Sequence, residues 1–314
     1  MQAMLALLLQ ALGCVWVAVL GLALLRWLRG RSAASGRRAR ARGQTAVITG
    51  GSSGIGLAIA HRLAARGMKL VLAARRQEPL AAAARELREA GAEVHTIPTD
   101  IADAASCEAL VAQTVQKHGR LDLFVACAGI GHHGLAADDS TEVQKSLIDV
   151  NHFGTVHSIR AALPALLKFS GELFVVGSIS GVVGSPLRTA YCASKYATMG
   201  YVEALRMELL MLGTPLPISI VMPGSVDTPF RKHNRGPRPK MTAEMCADLA
   251  VAGWERGDYR IYCPTHACFM VSIPPLFGQW TMDTFMTSSE SNLPCVPSCP
   301  SVPFHDRLRH CLLG

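Results

Sequence analysis

The chain has 314 residues, 50% of them hydrophobic and 17% charged. So apolar a chain must bury surface, which excludes disorder as its main state, and 28 glycines without a heptad run exclude collagen-like and coiled-coil classes. The net charge of +8 is local: residues 1–42 hold seven arginines (Arg26, Arg29, Arg31, Arg37, Arg38, Arg40, Arg42) and no acid, so the near-neutral remainder makes no case for nucleic acid.

Met1 to Leu25 carry no charged side chain, and Gln10 is the one strongly polar break. As a helix this stretch would rise about 37 Å, enough to cross a hydrocarbon core of about 30 Å. A cleaved signal peptide would want a basic start and a shorter apolar run, so a membrane anchor is favoured. The arginines follow the span, and the positive-inside rule keeps that flank cytosolic. The expectation is a single-pass protein of an internal membrane such as the endoplasmic reticulum. Residues 26–43 form a basic linker and the catalytic domain lies in the cytosol.

From Gln44 onward, short apolar runs alternate with amphipathic stretches. Strands are expected at 45–49, 69–74, 93–98, 121–126, 172–177, 217–222 and 259–263. Most are continuously apolar, as in a parallel sheet covered on both faces. Helices are expected at 54–66, 78–90, 105–118, 139–169 with a break, 191–212 and 242–255. This alternation predicts a single α/β domain with a doubly wound parallel sheet, over residues 44–286. Residues 287–314, rich in Pro, Ser and Cys, read as a disordered tail. The ten cysteines are scattered, and a cytosolic domain would keep them reduced. Cys295 and Cys299 lack a second ligand pair, so no metal site is expected.

The first strand runs into Thr49-Gly50-Gly51-Ser52-Ser53-Gly54-Ile55-Gly56, with a helix directly after it. Glycines at such a turn let backbone approach a pyrophosphate, and the helix N-terminus offers free N–H groups. The second strand ends in Ala73-Ala74-Arg75-Arg76, where an NAD site would place an acid for the ribose hydroxyls. Two cations there suit a 2′-phosphate, which points to NADP(H), with Arg75 ahead of Arg76.

Tyr191 and Lys195 stand four apart at the start of a predicted helix and so share a face. An ammonium beside a phenol stabilises the phenolate, which fits the phenol for general acid–base work on a carbonyl or alcohol. Ser178, just past an apolar strand, is placed to hold a substrate oxygen. Asn151 is a polar residue inside an apolar helix, before Gly154. Taken singly, each has a plainer reading as a chance spacing, a turn hydroxyl or a cap.

The combined spacing resembles the short-chain dehydrogenase/reductase family. The matching residues are Thr49 with Gly54 and Gly56, Asn151, Ser178, Tyr191 with Lys195, and Pro223-Gly224 followed by Thr228. The resemblance implies that Tyr191 is the proton donor and that Ser178 orients the carbonyl. It also implies that Lys195 holds the nicotinamide ribose and Asn151 a relay water. Asp100 would meet the adenine end, and Val226 and Thr228 the carboxamide. One departure is Ala126-Cys127-Ala128-Gly129, where the family has Asn-Asn-Ala-Gly. The loss removes amides that brace the sheet.

The run Pro186–Tyr191 with the anchor is similar to membrane-bound hydroxysteroid dehydrogenase-like reductases. The anchor, the glycine turn and the Cys-Ala-Gly run also resemble 3-ketosphinganine reductases. Both imply bulky, lipid-soluble carbonyl or alcohol substrates, and the leading expectation is NADPH-dependent reduction of a lipophilic ketone or aldehyde such as a steroid, a retinoid or a long-chain lipid. An alcohol dehydrogenase working in the oxidative direction and a non-catalytic nucleotide-binding scaffold are the alternatives. Family members often dimerise or tetramerise, and a homodimer is the expectation here. Val182, Val183, Leu187 and Phe230 are candidate pocket-wall residues. The segment after Thr228, with Arg231, Lys232, Arg235, Arg238 and Lys240, is a candidate substrate lid.

Overall fold

A computed structural model describes residues 36–37, 39–231, 241–265 and 267. The expected anchor, most of the lid, and the stretch from 268 to the tail lie outside the described residues. Among the described residues no helix is long and apolar enough to cross a membrane.

Seven strands form one parallel sheet in the order β3-β2-β1-β4-β5-β6-β9. They are β1 (Thr45–Thr49), β2 (Lys69–Ala74), β3 (Val94–Pro98), β4 (Leu123–Ala126), β5 (Glu172–Val176), β6 (Ile218–Pro223) and β9 (Arg260–Cys263). The order reverses between β1 and β4, with Thr49 opposite Ala126 at their ends. A crevice opens beyond the strand ends at such a reversal, and ligands bind there in doubly wound sheets.

Helices cover both faces, because the strands are apolar on both. In β1, Val47 packs on one side and Ile48 on the other, each wholly buried. The Ile48 side is covered by α1 (Gly54–Ala64), α2 (Gln77–Glu89) and α7 (Ala243–Arg256), through Ile59, Leu63, Leu80, Leu87 and Trp254. The Val47 side is covered by α3 (Ala104–His118), α5 (Gly154–Lys168) and α6 (Thr189–Met211), through Leu110, Ile159, Leu166 and Val202. Each such side chain contributes roughly 1.5–3 kcal/mol by leaving water.

The expected helix over 139–169 is three pieces: α4 (Thr141–Leu147), a π-helical turn (Ile148–Phe153) and α5. The break is thus a widened turn that carries Asn151 inward. The sequence reading missed two short strands, β7 (Val226–Asp227) and β8 (Met241–Thr242), which pair with each other. Two residues per strand leave no periodicity to read.

Candidate active site

A cavity of about 520 Å³ lies beyond the C-terminal ends of the strands. Its lining includes Gly50, Ser52, Ser53, Gly54, Ile55 and Gly56, with Arg75, Arg76 and Asp100. Ser178, Tyr191, Lys195, Pro223, Gly224, Val226 and Thr228 line it as well. Thr49 and Asn151 lie behind the lining, buried, and reach the cavity through other residues.

The glycine turn is a close-packed piece of backbone. Gly50 has φ +70°, and a Cβ on it would lie 2.9 Å from both N and Cα of Ala128. A Cβ on Gly56 would lie 2.3 Å from the Gly50 carbonyl oxygen. Such approaches exclude any side chain. Ser53, the residue before α1, makes no side-chain cap bond, so the first N–H groups of the helix face the cavity without one.

Thr49 holds this turn to the end of β4. Its hydroxyl donates to the Val125 carbonyl at 3.3 Å and accepts the N–H groups of Cys127 and Ala128 at 3.1 and 3.3 Å. This brace stands where the departure at Cys127 removes an amide. Burial pushes the Cys127 thiol up to about 12, against the opposing charge of Lys195, so the thiol stays protonated at neutral pH.

Arg75 and Arg76 are exposed at the rim, and neither makes an ion pair among the described residues. Asp100 has one carboxylate oxygen committed to the Ala102 N–H at 3.0 Å.

Tyr191 and Lys195 sit in the first turns of α6, 6% and 7% exposed. Lys195 Nζ lies 5.9 Å from the Tyr191 ring centre and donates to the Val176 carbonyl at 3.4 Å. An ammonium has three donors, so the others can serve a ligand in the cavity. Ser178 Oγ accepts the Ser180 N–H at 3.1 Å and has a long contact to the Pro223 carbonyl at 3.5 Å.

Asn151 Oδ1 accepts the Ile130 N–H at 2.8 Å, and its Nδ2 donates to the Ile130 carbonyl at 2.9 Å and to Ser194 Oγ at 3.0 Å. Its own carbonyl accepts from the Thr155 and Thr198 hydroxyls at 2.8 and 3.0 Å. Both ends of the amide are thus engaged with the protein.

The substrate side of the cavity differs from expectation. Phe230 lines it and stacks edge-on with Tyr191 at 5.9 Å, but Val182, Val183 and Leu187 do not line it. Ser180, Ser185 and Arg188 do. The sequence reading passed over Arg188. Its place three residues before Tyr191, one helical turn away, was the available signal.

Comparison with known proteins agrees with this geometry. A family model described as short chain dehydrogenase matches residues 44–238. An 11-beta-hydroxysteroid dehydrogenase of Pinus massoniana is 31% identical over 263 residues, covering 76% of this chain and 73% of that protein. A Burkholderia phymatum short chain dehydrogenase/reductase in complex with NAD superposes with TM-score 0.67 at 26% identity, over 83% of this chain and 99% of that one. An alcohol dehydrogenase from Thermococcus sibiricus complexed with 5-hydroxy-NADP gives 0.64 at 29%, over 70% and 95%. Some curated relatives are longer, and the match covers as little as 54% of their length. The chain belongs to the short-chain dehydrogenase/reductase family of oxidoreductases.

Proposed function

We propose that the chain is an NADP(H)-dependent oxidoreductase that reduces the carbonyl of a lipophilic substrate, with Tyr191 as general acid. One observation carries the reading: a single cavity is lined by Tyr191, Lys195 and Ser178 together with the glycine turn and Arg75 and Arg76. The turn, the uncapped start of α1 and the spare donors of Lys195 fit a dinucleotide. The arginines at the end of β2, where the strand itself ends without an acid, favour a 2′-phosphate. The NAD and 5-hydroxy-NADP complexes of the two solved relatives support a nicotinamide cofactor.

When bound, the nicotinamide supplies the hydride to the carbonyl carbon. The Ser178 hydroxyl, fixed on its acceptor side by Ser180, donates to the carbonyl oxygen and holds it. Tyr191 passes its proton to that oxygen, and Lys195 places positive charge beside the ring as the proton leaves. Asn151 holds Ile130, and with it the loop against the cavity, in place.

The substrate class rests on the kinship with the Pinus massoniana hydroxysteroid dehydrogenase and on residues 1–25, whose apolar run would tether the domain to the bilayer. An endoplasmic-reticulum address with a cytosolic domain, and assembly as a homodimer, belong to the same proposal.

NADPH consumption over a panel of steroid ketones, retinaldehyde and long-chain ketones tests it. Tyr191→Phe abolishes turnover while NADPH binding persists, and undiminished turnover would remove Tyr191 from the role. Arg75→Asp lowers the preference for NADPH over NADH, and an unchanged preference would place the phosphate elsewhere.

A further inference from the structure

We propose that Arg188 selects substrates that carry a carboxylate a few bonds from the reacting carbonyl. The inference rests on the oxidoreductase reading above and adds a substrate feature to it. Arg188 lines the cavity, and its guanidinium carbon lies 5.5 Å from the Tyr191 ring centre. It forms no ion pair among the described residues and is half-buried. An anion touching this group would sit next to the phenol that serves the carbonyl.

Helix capping does not explain the residue. Arg188 is the residue before the first turn of the 23-residue helix α6, and its side chain makes no cap hydrogen bond. Ser, Thr, Asp or Asn would satisfy a free N–H there, and a cation opposes the positive end of the helix dipole. The backbone leading to it is also strained: Leu187 has φ +60°, a region a bulky side chain rarely enters. The Gly134 N–H holds that conformation by donating to the Leu187 carbonyl at 2.9 Å. A local rule broken twice at the edge of a site points to function.

The neighbouring wall is polar as well. Ser185 lines the cavity, and its hydroxyl lies 3.5 Å from that of Ser180. A purely hydrocarbon ketone would cover the guanidinium and leave it only the Tyr191 ring as a partner, with no acceptor for its N–H groups, which is unfavourable. A carboxylate can accept two parallel N–H bonds from it.

The test uses the full chain in detergent, with a medium-chain 4-oxo acid and its methyl ester as charged and neutral twins. The wild type prefers the acid by at least tenfold in kcat/KM, mainly through KM. Arg188→Gln brings the ratio of acid to ester close to one, and Arg188→Lys, which keeps a point charge, restores part of it. A ratio near one in the wild type overturns the proposal. So does an equal fall for acid and ester in Arg188→Gln, which would make Arg188 a positioning residue for Tyr191. A loss of NADPH affinity in that variant would assign it to the cofactor and overturn the proposal too. Calorimetric titration of both twins into the NADP⁺-loaded protein reads the same preference without turnover. Tighter binding of the acid supports the proposal, and equal binding overturns it. Failure of every carbonyl in the panel to be reduced would sink the oxidoreductase reading alone.

Discussion

Asn151 grips Ile130 from both sides, accepting its N–H at 2.8 Å and donating to its carbonyl at 2.9 Å. The two residues stand 21 apart in sequence, and Ile130 lines the cavity beside Gly129. Asn151→Ala leaves both backbone groups without that partner, at about 1–3 kcal/mol for each group left unsatisfied. We expect a lower melting temperature and a kcat reduced by tenfold or more. Asn151→Asp does not restore activity, because a carboxylate has no proton for the Ile130 carbonyl. Wild-type kcat in Asn151→Ala would show that the grip is dispensable.

Thr49 is the brace between β1 and the Cys127-Ala128 turn. Thr49→Val keeps the shape and removes the acceptor, leaving two N–H groups to find water. The expected result is destabilisation of about 1–3 kcal/mol and weaker cofactor binding, seen in chemical denaturation and fluorescence titration. Thr49→Ser keeps the hydroxyl and recovers most of both. Equal behaviour of the Val and Ser variants would refute the brace.

Gly56 has no room for a methyl group, since the obstacle is the Gly50 carbonyl oxygen at 2.3 Å. Backbone on both sides of the contact means that relief requires the turn to open. Gly56→Ala therefore loses NADPH binding by tenfold or more. A dissociation constant within twofold of the wild type would show that the turn yields.

His118, on α3, has a 4% exposed side chain and a ring edge-on to His95 at 6.5 Å. Burial holds the His118 imidazole below its ordinary range, and Glu93 only partly offsets this. Burial also lowers His95, with Lys117, His118 and Arg88 adding to the effect. The folded state thus binds fewer protons than the unfolded one as the pH falls below about 6.5. Stability from these two groups is present at neutral pH and is lost on acidification. The melting temperature should fall between pH 7 and 5.5, with a shallower fall in His118→Gln. An identical slope in the variant would exclude His118 as a contributor.

Much of the architecture is local information. Continuous apolar runs with amphipathic stretches between them can close only as covered parallel strands, and all seven strands of the main sheet lie within three residues of where the pattern predicts them. The glycine turn and the Tyr191–Lys195 spacing were legible for the same reason, since each is a short segment whose geometry follows from its own residues. Tertiary structure decided the rest. Thr49 meets Cys127 across 78 residues and Arg37 meets Glu172 across 135, and no local period encodes such pairs. The wall around Tyr191 was misjudged because apolar residues next to a site in sequence need not face it. Val182, partly buried, packs against the core instead, while Arg188 is turned to the cavity at the start of α6. Which side chains converge on a space depends on packing between elements, and that is settled only when the sheet and its helices are assembled.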